Sequence, residues 1–236
     1  QRDLAARVLR ASDPSRFGDD PLRGLRVARF CAVLEFTVDA QLERLCSEQD
    51  LSQLPGERLF EEWRRLLLEA RRPSEGLAFL KRCGLVRHFA ELAALIDVPQ
   101  DPRWHPEGDV WTHTLMVVDE AAKLRLRDPD DLVLMWAALC HDFGKPGTTS
   151  ETDGQVRSLG HAAAGIGPTQ SLLERLRAPK QLVTRVCCLV EHHLAPALYV
   201  KNDAGARGSR RLARRLEGAG VSLELLLRVA RADHFG

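Results

Sequence analysis

His141 and Asp142 stand side by side directly after the apolar run LVLMWAALC and directly before FGKPG. Adjacent residues on a helix point about 100° apart, so the two cannot share one buried face. At the last turn of a helix, however, they can flank one ion in an opening between helices. The Gly-Lys-Pro that follows stops the helix and lets Lys145 turn back toward that opening. His113 lies 28 residues before His141, in VWTHTLMVVDEAA. That span accommodates the rest of one helix, a Pro-started turn and an antiparallel second helix, so His113 can meet His141 in space. Imidazole and carboxylate suit a borderline or transition divalent ion, with Mg, Mn, Ni, Co and Zn all open. A small protein ligand set leaves room for water and a phosphate ester, and hydrolysis is the chemistry it serves. Asp142 and Lys145 are the candidate catalytic residues, Lys145 as the partner of an anionic phosphate.

Three further residues extend the candidate ligand set. His161 opens GHAAAGI, whose small residues permit close helix packing. His193 continues the buried stripe of Val186, Leu189 and Val190. Asp233 follows ELLLRVARA, where an apolar helix again ends in an acid. The set is then His113, His141, Asp142, His161, His193 and Asp233, with His192 as a substitute for His193. His88, His105 and His234 read as surface or capping residues.

The elements that must carry these side chains read as almost entirely helical, with no long alternation arguing for a sheet. Asp13-Pro14, Asp20-Pro21, Asp128-Pro129 and Ala178-Pro179 each place proline where a helix can start, the aspartates as caps. Helices are expected after Pro21, over 57–70, over PSEGLAFLKRCG closed by Gly84, and through LVRHFAELAAL. Beyond Asp97–Asp109, which holds three prolines and a glycine, they are expected near 110–126, 129–142, 159–176, 179–193 and 221–232. Residues 144–158 should form a loop. The organisation expected is a helical unit over 1–96 and a second over 97–236.

The chain has 236 residues and a net charge of +1, from 34 basic and 33 acidic residues. Any nucleic-acid contact must therefore be local rather than a global basic field. The six cysteines form no CxxC pair, which fits reduced thiols and a cytoplasmic location. No apolar run approaches the roughly 20 residues of a membrane helix. Gln1 and the absence of a signal-like start fit a fragment of a longer protein.

HPEGDVWTHTLMVVDEAA, LCHDFGKPGTT, GHAAAG and LLERLRAP together resemble the C-terminal HD domain of some bacterial tRNA nucleotidyltransferases, the CCA-adding enzymes, within the HD superfamily of metal-dependent phosphohydrolases. DDPLRGLRVARFCAVLEFTVDAQ resembles the segment after the catalytic head of that family, usually written Glu-Asp-x-x-Arg, with Asp19 in place of the glutamate. GERLFEEWRRLL resembles its next helical motif. The resemblance covers roughly residues 10–195 and implies an all-α fold, a helical neck and body followed by a helical HD-type domain. It implies that Asp20 and Arg23 present hydrogen-bonding edges to an incoming CTP or ATP, with Glu57, Arg58 and Glu61 in support. The head's Gly-Gly…Val-Arg-Asp region and its metal-holding Asp-x-Asp pair find no match, so nucleotidyl transfer is not expected from this chain alone. The activity implied is a phosphatase or 2′,3′-cyclic phosphodiesterase acting on RNA ends or nucleotides.

ARGSRRLARR carries Arg207, Arg210, Arg211, Arg214 and Arg215 without an acid. On a helix, Arg207, Arg211 and Arg214 share a face fit for RNA phosphates. Arg23, Arg26 and Arg29 form a second basic stripe. The expected partners are tRNA or RNA 3′ ends and a nucleotide or cyclic phosphate substrate, with no membrane and a homodimer left open. Two alternatives stand beside this reading: a tRNA-binding structural body with a vestigial HD site, and a general HD nucleotide phosphohydrolase.

Overall fold

In the computed structural model, which describes residues 2–201 and 205–236, the chain is helical nearly throughout. The first half holds α1 (Arg2–Ala6), β1 (Val8–Leu9), a 3-10 turn at Pro14–Asp19, α2 (Leu22–Leu34), β2 (Thr37–Val38), α3 (Ala40–Ser47), α4 (Gly56–Glu69), α5 (Pro73–Arg82), a 3-10 turn at Leu85–His88 and α6 (Ala90–Ala93). The second holds α7 (Val110–Lys123), α8 (Asp130–Cys140), α9 (Lys145–Thr148), β3 (Thr149–Thr152), β4 (Gln155–Ser158), α10 (His161–Ala164), α11 (Ile166–Arg175), α12 (Lys180–His192), α13 (Ala195–Lys201), α14 (Ala206–Gly218) and α15 (Leu223–Phe235). No helix among the described residues is long and apolar enough to cross a membrane.

Local chemistry explains the helix starts. Asp109 caps α7, accepting from the Thr112 amide at 2.9 Å. Asp128 accepts from the amides of Asp130 and Asp131 at the start of α8, and Ser222 accepts from Leu225 N at the start of α15. Asp128-Pro129-Asp130 is thus a capping turn, although it spells Asp-x-Asp. α2, α4 and α5 pack together in the first half, and α7, α8, α12 and α15 in the second. One apolar core runs through both. Trp63 on α4 lies 5.9 Å, ring centre to centre, from Trp136 on α8 and meets Phe89 edge-on at 4.9 Å.

Several expectations are corrected. LVRHFAELAAL is not one helix but the 3-10 turn at Leu85–His88 followed by the short α6. Residues 144–158 are not a loop: after α9, β3 and β4 pair antiparallel from Thr149↔Ser158 to Thr152↔Gln155. Asp153 and Gly154 turn the hairpin, both at positive φ, the Asp-Gly signature of a tight hairpin turn. The single helix expected over 159–176 is two, α10 and α11, meeting at Gly165. There the chain passes Gly144 so closely that a Cβ on Gly144 would lie 2.0 Å from the His161 carbonyl oxygen and 2.6 Å from Gly165 N. The basic stripe on α2 is split: Arg23 and Arg26 are half-buried and Arg29 is drawn inside. Arg29 is buried, and it and Arg26 both donate to the buried Glu62 carboxylate, at 2.7 and 2.9 Å.

Candidate metal centre

His113 sits in the first turn of α7, His141 and Asp142 at the C-terminal end of α8, His161 at the start of α10, His193 just past α12 and Asp233 near the end of α15. Packing of α7, α8, α12 and α15, with α10 laid against α12, brings these six residues together. The rings of His113 and His141 lie 5.4 Å apart, as do those of His141 and His193, and His161 is 5.3 Å from His193. Asp233 Oδ1 is 3.1 Å from His113 Nε2 and 3.5 Å from His141 Nε2. Asp142 Oδ2 lies 3.2 Å from His141 Nε2, and its Oδ1 lies 3.4 Å from His161 Nε2. Metal–ligand distances of roughly 2.0–2.2 Å put neighbouring donors about 3–4 Å apart, the spacing found here. Asp142 is shared by two groups of donors, one with His113 and His141 and the other with His161 and His193.

The tautomers are set by the backbone. His141, His161 and His193 each donate Nδ1–H to the carbonyl three residues earlier: Ala138 at 2.8 Å, Ser158 at 2.8 Å and Val190 at 2.7 Å. Their Nε2 lone pairs then face the centre. His161 Nε2 and His193 Nε2 meet at 3.4 Å, acceptor against acceptor. His141 Nε2 and Asp142 Oδ1 are buried without a hydrogen-bond partner, and Asp142 Oδ2 has the Lys145 ammonium beside it but no aligned hydrogen bond. Such groups are costly when left alone and are satisfied by a cation. The residues therefore fit a divalent ion, whose identity the donor set leaves open.

Electrostatics follow from the same arrangement. Burial opposes ionisation of Asp142, but His141 and Lys145 beside it hold its carboxyl well below the usual range. Burial likewise disfavours a proton on His141, yet Asp142 outweighs it and raises its pKa. Burial pushes His193 down to about 4 and also lowers His161. Asp233, despite burial, is held low by its bond with His113 and by His141. Lys145 Nζ lies 2.6 Å from both Asp142 Oδ2 and Gln100 Oε1. A cavity of about 250 Å³ opens beside the centre, lined among others by Trp104, His105, Asp142, Lys145, His161 and His193.

The other expected site residues fall elsewhere. Asp20 accepts from the Leu22 amide with one oxygen and from Arg58 with the other, at 3.2 and 2.9 Å. Arg23 donates to the carbonyls of Arg16 and Phe17, and Glu57 is exposed. Arg207, Arg211 and Arg214 lie exposed on α14, opposite the buried Leu212 and Leu216. His192 points away, toward Glu191. His105, read from sequence as a surface residue, instead lines the cavity and bonds Glu107. Glu107 stands in HPEGD just before His113, with no ligand-type spacing to mark it in the sequence.

Comparison with known proteins agrees with this geometry. The chain is 38% identical over 248 aligned residues to the multifunctional CCA protein of Vibrio cholerae serotype O1 (strain M66-2), covering 100% of this chain and 59% of that protein. It is 36% identical over 223 residues to the protein of the same name from Cupriavidus metallidurans, covering 92% and 51%. The chain thus spans little more than half the length of these curated relatives. Among solved structures, a CCA-adding enzyme with CTP superposes with a TM-score of 0.59 at 16% identity, covering 98% of this chain and 47% of that one. A tRNA-processing enzyme complex superposes at 0.58 and 18%, covering 99% and 56%. These two similarities concern the fold. The HD-domain family model matches residues 110–235, more than half of the chain and all six residues of the centre. The chain belongs to the HD-domain family.

Proposed function

We propose that this chain is the C-terminal part of a tRNA nucleotidyltransferase-like protein, and that its HD centre hydrolyses phosphate esters, as a phosphatase or 2′,3′-cyclic phosphodiesterase on RNA ends or nucleotides. The observation that carries the reading is the convergence of buried imidazole lone pairs on the Asp142 carboxylate, with the Nε2 atoms of His161 and His193 facing each other and that of His141 lacking a hydrogen-bond partner. A divalent ion bound there would polarise a phosphoryl oxygen and make water a better nucleophile. His113, His141, Asp142 and Asp233 would hold it, with His161 and His193 on the side nearer the cavity. Asp142 orients the donors and Lys145, and Lys145 is within reach to exchange its bond to Asp142 for one to an anionic phosphate. Attack of water on phosphorus then breaks the bond to the leaving oxygen, which departs with a proton.

In the first half, Asp20, Arg23, Glu57 and Arg58 would serve nucleotide selection in the whole protein. The Arg58–Asp20 bond, which holds that carboxylate at the start of α2, supports this. The chain covers 59% and 51% of the two curated relatives, which supports assigning the transfer step to another part of such a protein. The exposed arginine face of α14 would contact tRNA. The division into a body at 1–96 and an HD domain at 97–236 belongs to the same proposal. The test is direct: the purified chain with Mn²⁺, Ni²⁺ or Mg²⁺ should release phosphate or open the ring of 2′,3′-cyclic AMP. Absence of hydrolysis with every ion and both substrate types, in protein that binds the ion, would leave the alternative of an RNA-binding body.

A further inference from the structure

Glu107 stands against two imidazoles. Its Oε1 lies 2.8 Å from His105 Nδ1 and 3.0 Å from His113 Nδ1, and the two rings meet edge to face at 4.7 Å. The first contact is a formed hydrogen bond. The second is close but off-line, so that the buried His113 Nδ1 has no aligned partner.

His113 differs from the other three histidines of the centre. Each of those donates Nδ1–H to the carbonyl three residues before it. The corresponding carbonyl for His113 is that of Val110, and it accepts instead from Thr114 Oγ1 at 2.8 Å. Without an ion, His113 Nε2 can donate to Asp233 Oδ1 at 3.1 Å, which puts the proton on the wrong nitrogen for a ligand. To offer Nε2 as a lone pair, the ring must carry its proton on Nδ1. The acceptor placed to receive that proton, among the described residues, is Glu107. A carboxylate behind a ligating histidine both selects the tautomer and makes the ring a better donor.

We infer that Glu107 is a positioning residue for the metal centre: by accepting Nδ1–H of His113 it selects the ligating tautomer, while its bond to His105 holds the carboxylate in place from the cavity side. This rests on the metal reading above. It explains why the chain before α7 carries a glutamate packed against two histidines at a site where the backbone supplies no acceptor. Gly108, at φ 122°, turns the chain between Glu107 and the Asp109 cap.

The test compares the parent chain with E107Q and E107A by titration with Zn²⁺ and, in parallel, Mn²⁺, together with ring ¹⁵N NMR of histidine-labelled, Zn²⁺-loaded protein. Loss of an outer-shell partner typically weakens metal binding about 10–100-fold. E107A should show a loss of that order. E107Q, which keeps an acceptor oxygen but no charge, should fall between E107A and the parent. In the loaded parent, the His113 ring should carry its proton on Nδ1. Equal affinities in the parent and both folded variants would overturn the role of Glu107. So would a His113 ring protonated on Nε2 in the loaded parent. Should E107A fail to fold, unchanged affinity in E107Q decides the same way. A parent chain that binds neither ion would instead remove the metal reading itself.

Discussion

At Asp142 one carboxylate faces three histidines, His113, His141 and His161, and a lysine, so its removal disturbs more than any neighbour's. Asp142→Asn should lower metal occupancy and reduce hydrolysis by two orders of magnitude or more, on the order of 3 kcal/mol in the barrier. Lys145→Ala should leave the ion bound and cost less, chiefly by weakening phosphate binding. Hydrolysis by both variants at saturating metal sets the order, and parental activity in Asp142→Asn sinks the mechanism. Acid should act on the same atoms. Protons compete with the ion for imidazole Nε2. Asp142 raises the pKa of His141 against the pull of burial, so that ring takes up a proton above the usual histidine value. Metal affinity should therefore begin to decline already above about pH 6.5. His193 works differently in the metal-free protein. Its folded pKa of about 4 lies below the unfolded value of about 6.5, so its contribution to stability is full above pH 6.5 and is lost as pH falls toward 4. His193→Asn should flatten melting temperature against pH across that window. An unchanged slope would place the titrating group elsewhere.

Helix junctions position those atoms, and two of them can be tested. Gly144 lets the end of α8 run against the start of α10, where the His161 carbonyl and Gly165 amide leave no room for a methyl group. Gly144→Ala should destabilise the chain by about 1–3 kcal/mol through forced backbone shifts. It should also weaken metal binding, because His161 moves with its helix. Thermal melts and metal titration of the one variant check both. On α14 the arginines lie opposite Leu212 and Leu216, so they can be changed without touching the core. Neutralising Arg207, Arg211 and Arg214 should weaken tRNA binding at low salt and lower the salt slope by roughly one unit per lost phosphate contact. The melting temperature should not change. If affinity and slope stay as in the parent, tRNA binds through another surface.

The two halves of the chain share helix ends as well as a core. Arg125, just past α7, donates to the carbonyls of Leu67 and Ala70 at the C-terminal end of α4, each at 2.8 Å. Asp119 on α7 accepts from the Ser74 amide at 3.0 Å, at the start of α5. Trp63 and Trp136 close the contact between α4 and α8. Trp136→Ala should therefore cost about 3–5 kcal/mol and lower the stability of both halves together. One denaturation transition, followed by fluorescence and by far-UV circular dichroism, is the expected outcome. Two separated transitions, with the first half unaffected, would show that the halves fold independently.

Most of the helices were legible from sequence because their signals are local. Asp109 before an apolar stripe and Pro129 after Asp128 act within a few residues of where they stand. The meeting of His113, His141 and Asp142 was legible for the same reason: a helix end and a histidine one antiparallel helix away need only spacing to be brought together. The hairpin at 149–158 has only Asp153-Gly154 as a local signal, because its flanking residues are polar and show no apolar alternation. Other features had no local signal at all. Arg29 belongs to a basic stripe in sequence, but Glu62, 33 residues away, draws it into the interior. His105 and Glu107 resemble any polar loop until the Val110 carbonyl is taken by Thr114 and the His113 ring is left facing them. Asp233 could be named as a candidate from its helix end, yet its place 3.1 Å from His113 depends on how α15 packs against α7. Capping, periodicity and ligand chemistry depend on near neighbours and can be read along the chain. Which lone pairs end up buried against one another depends on packing between helices distant in sequence, and only the folded arrangement settles that.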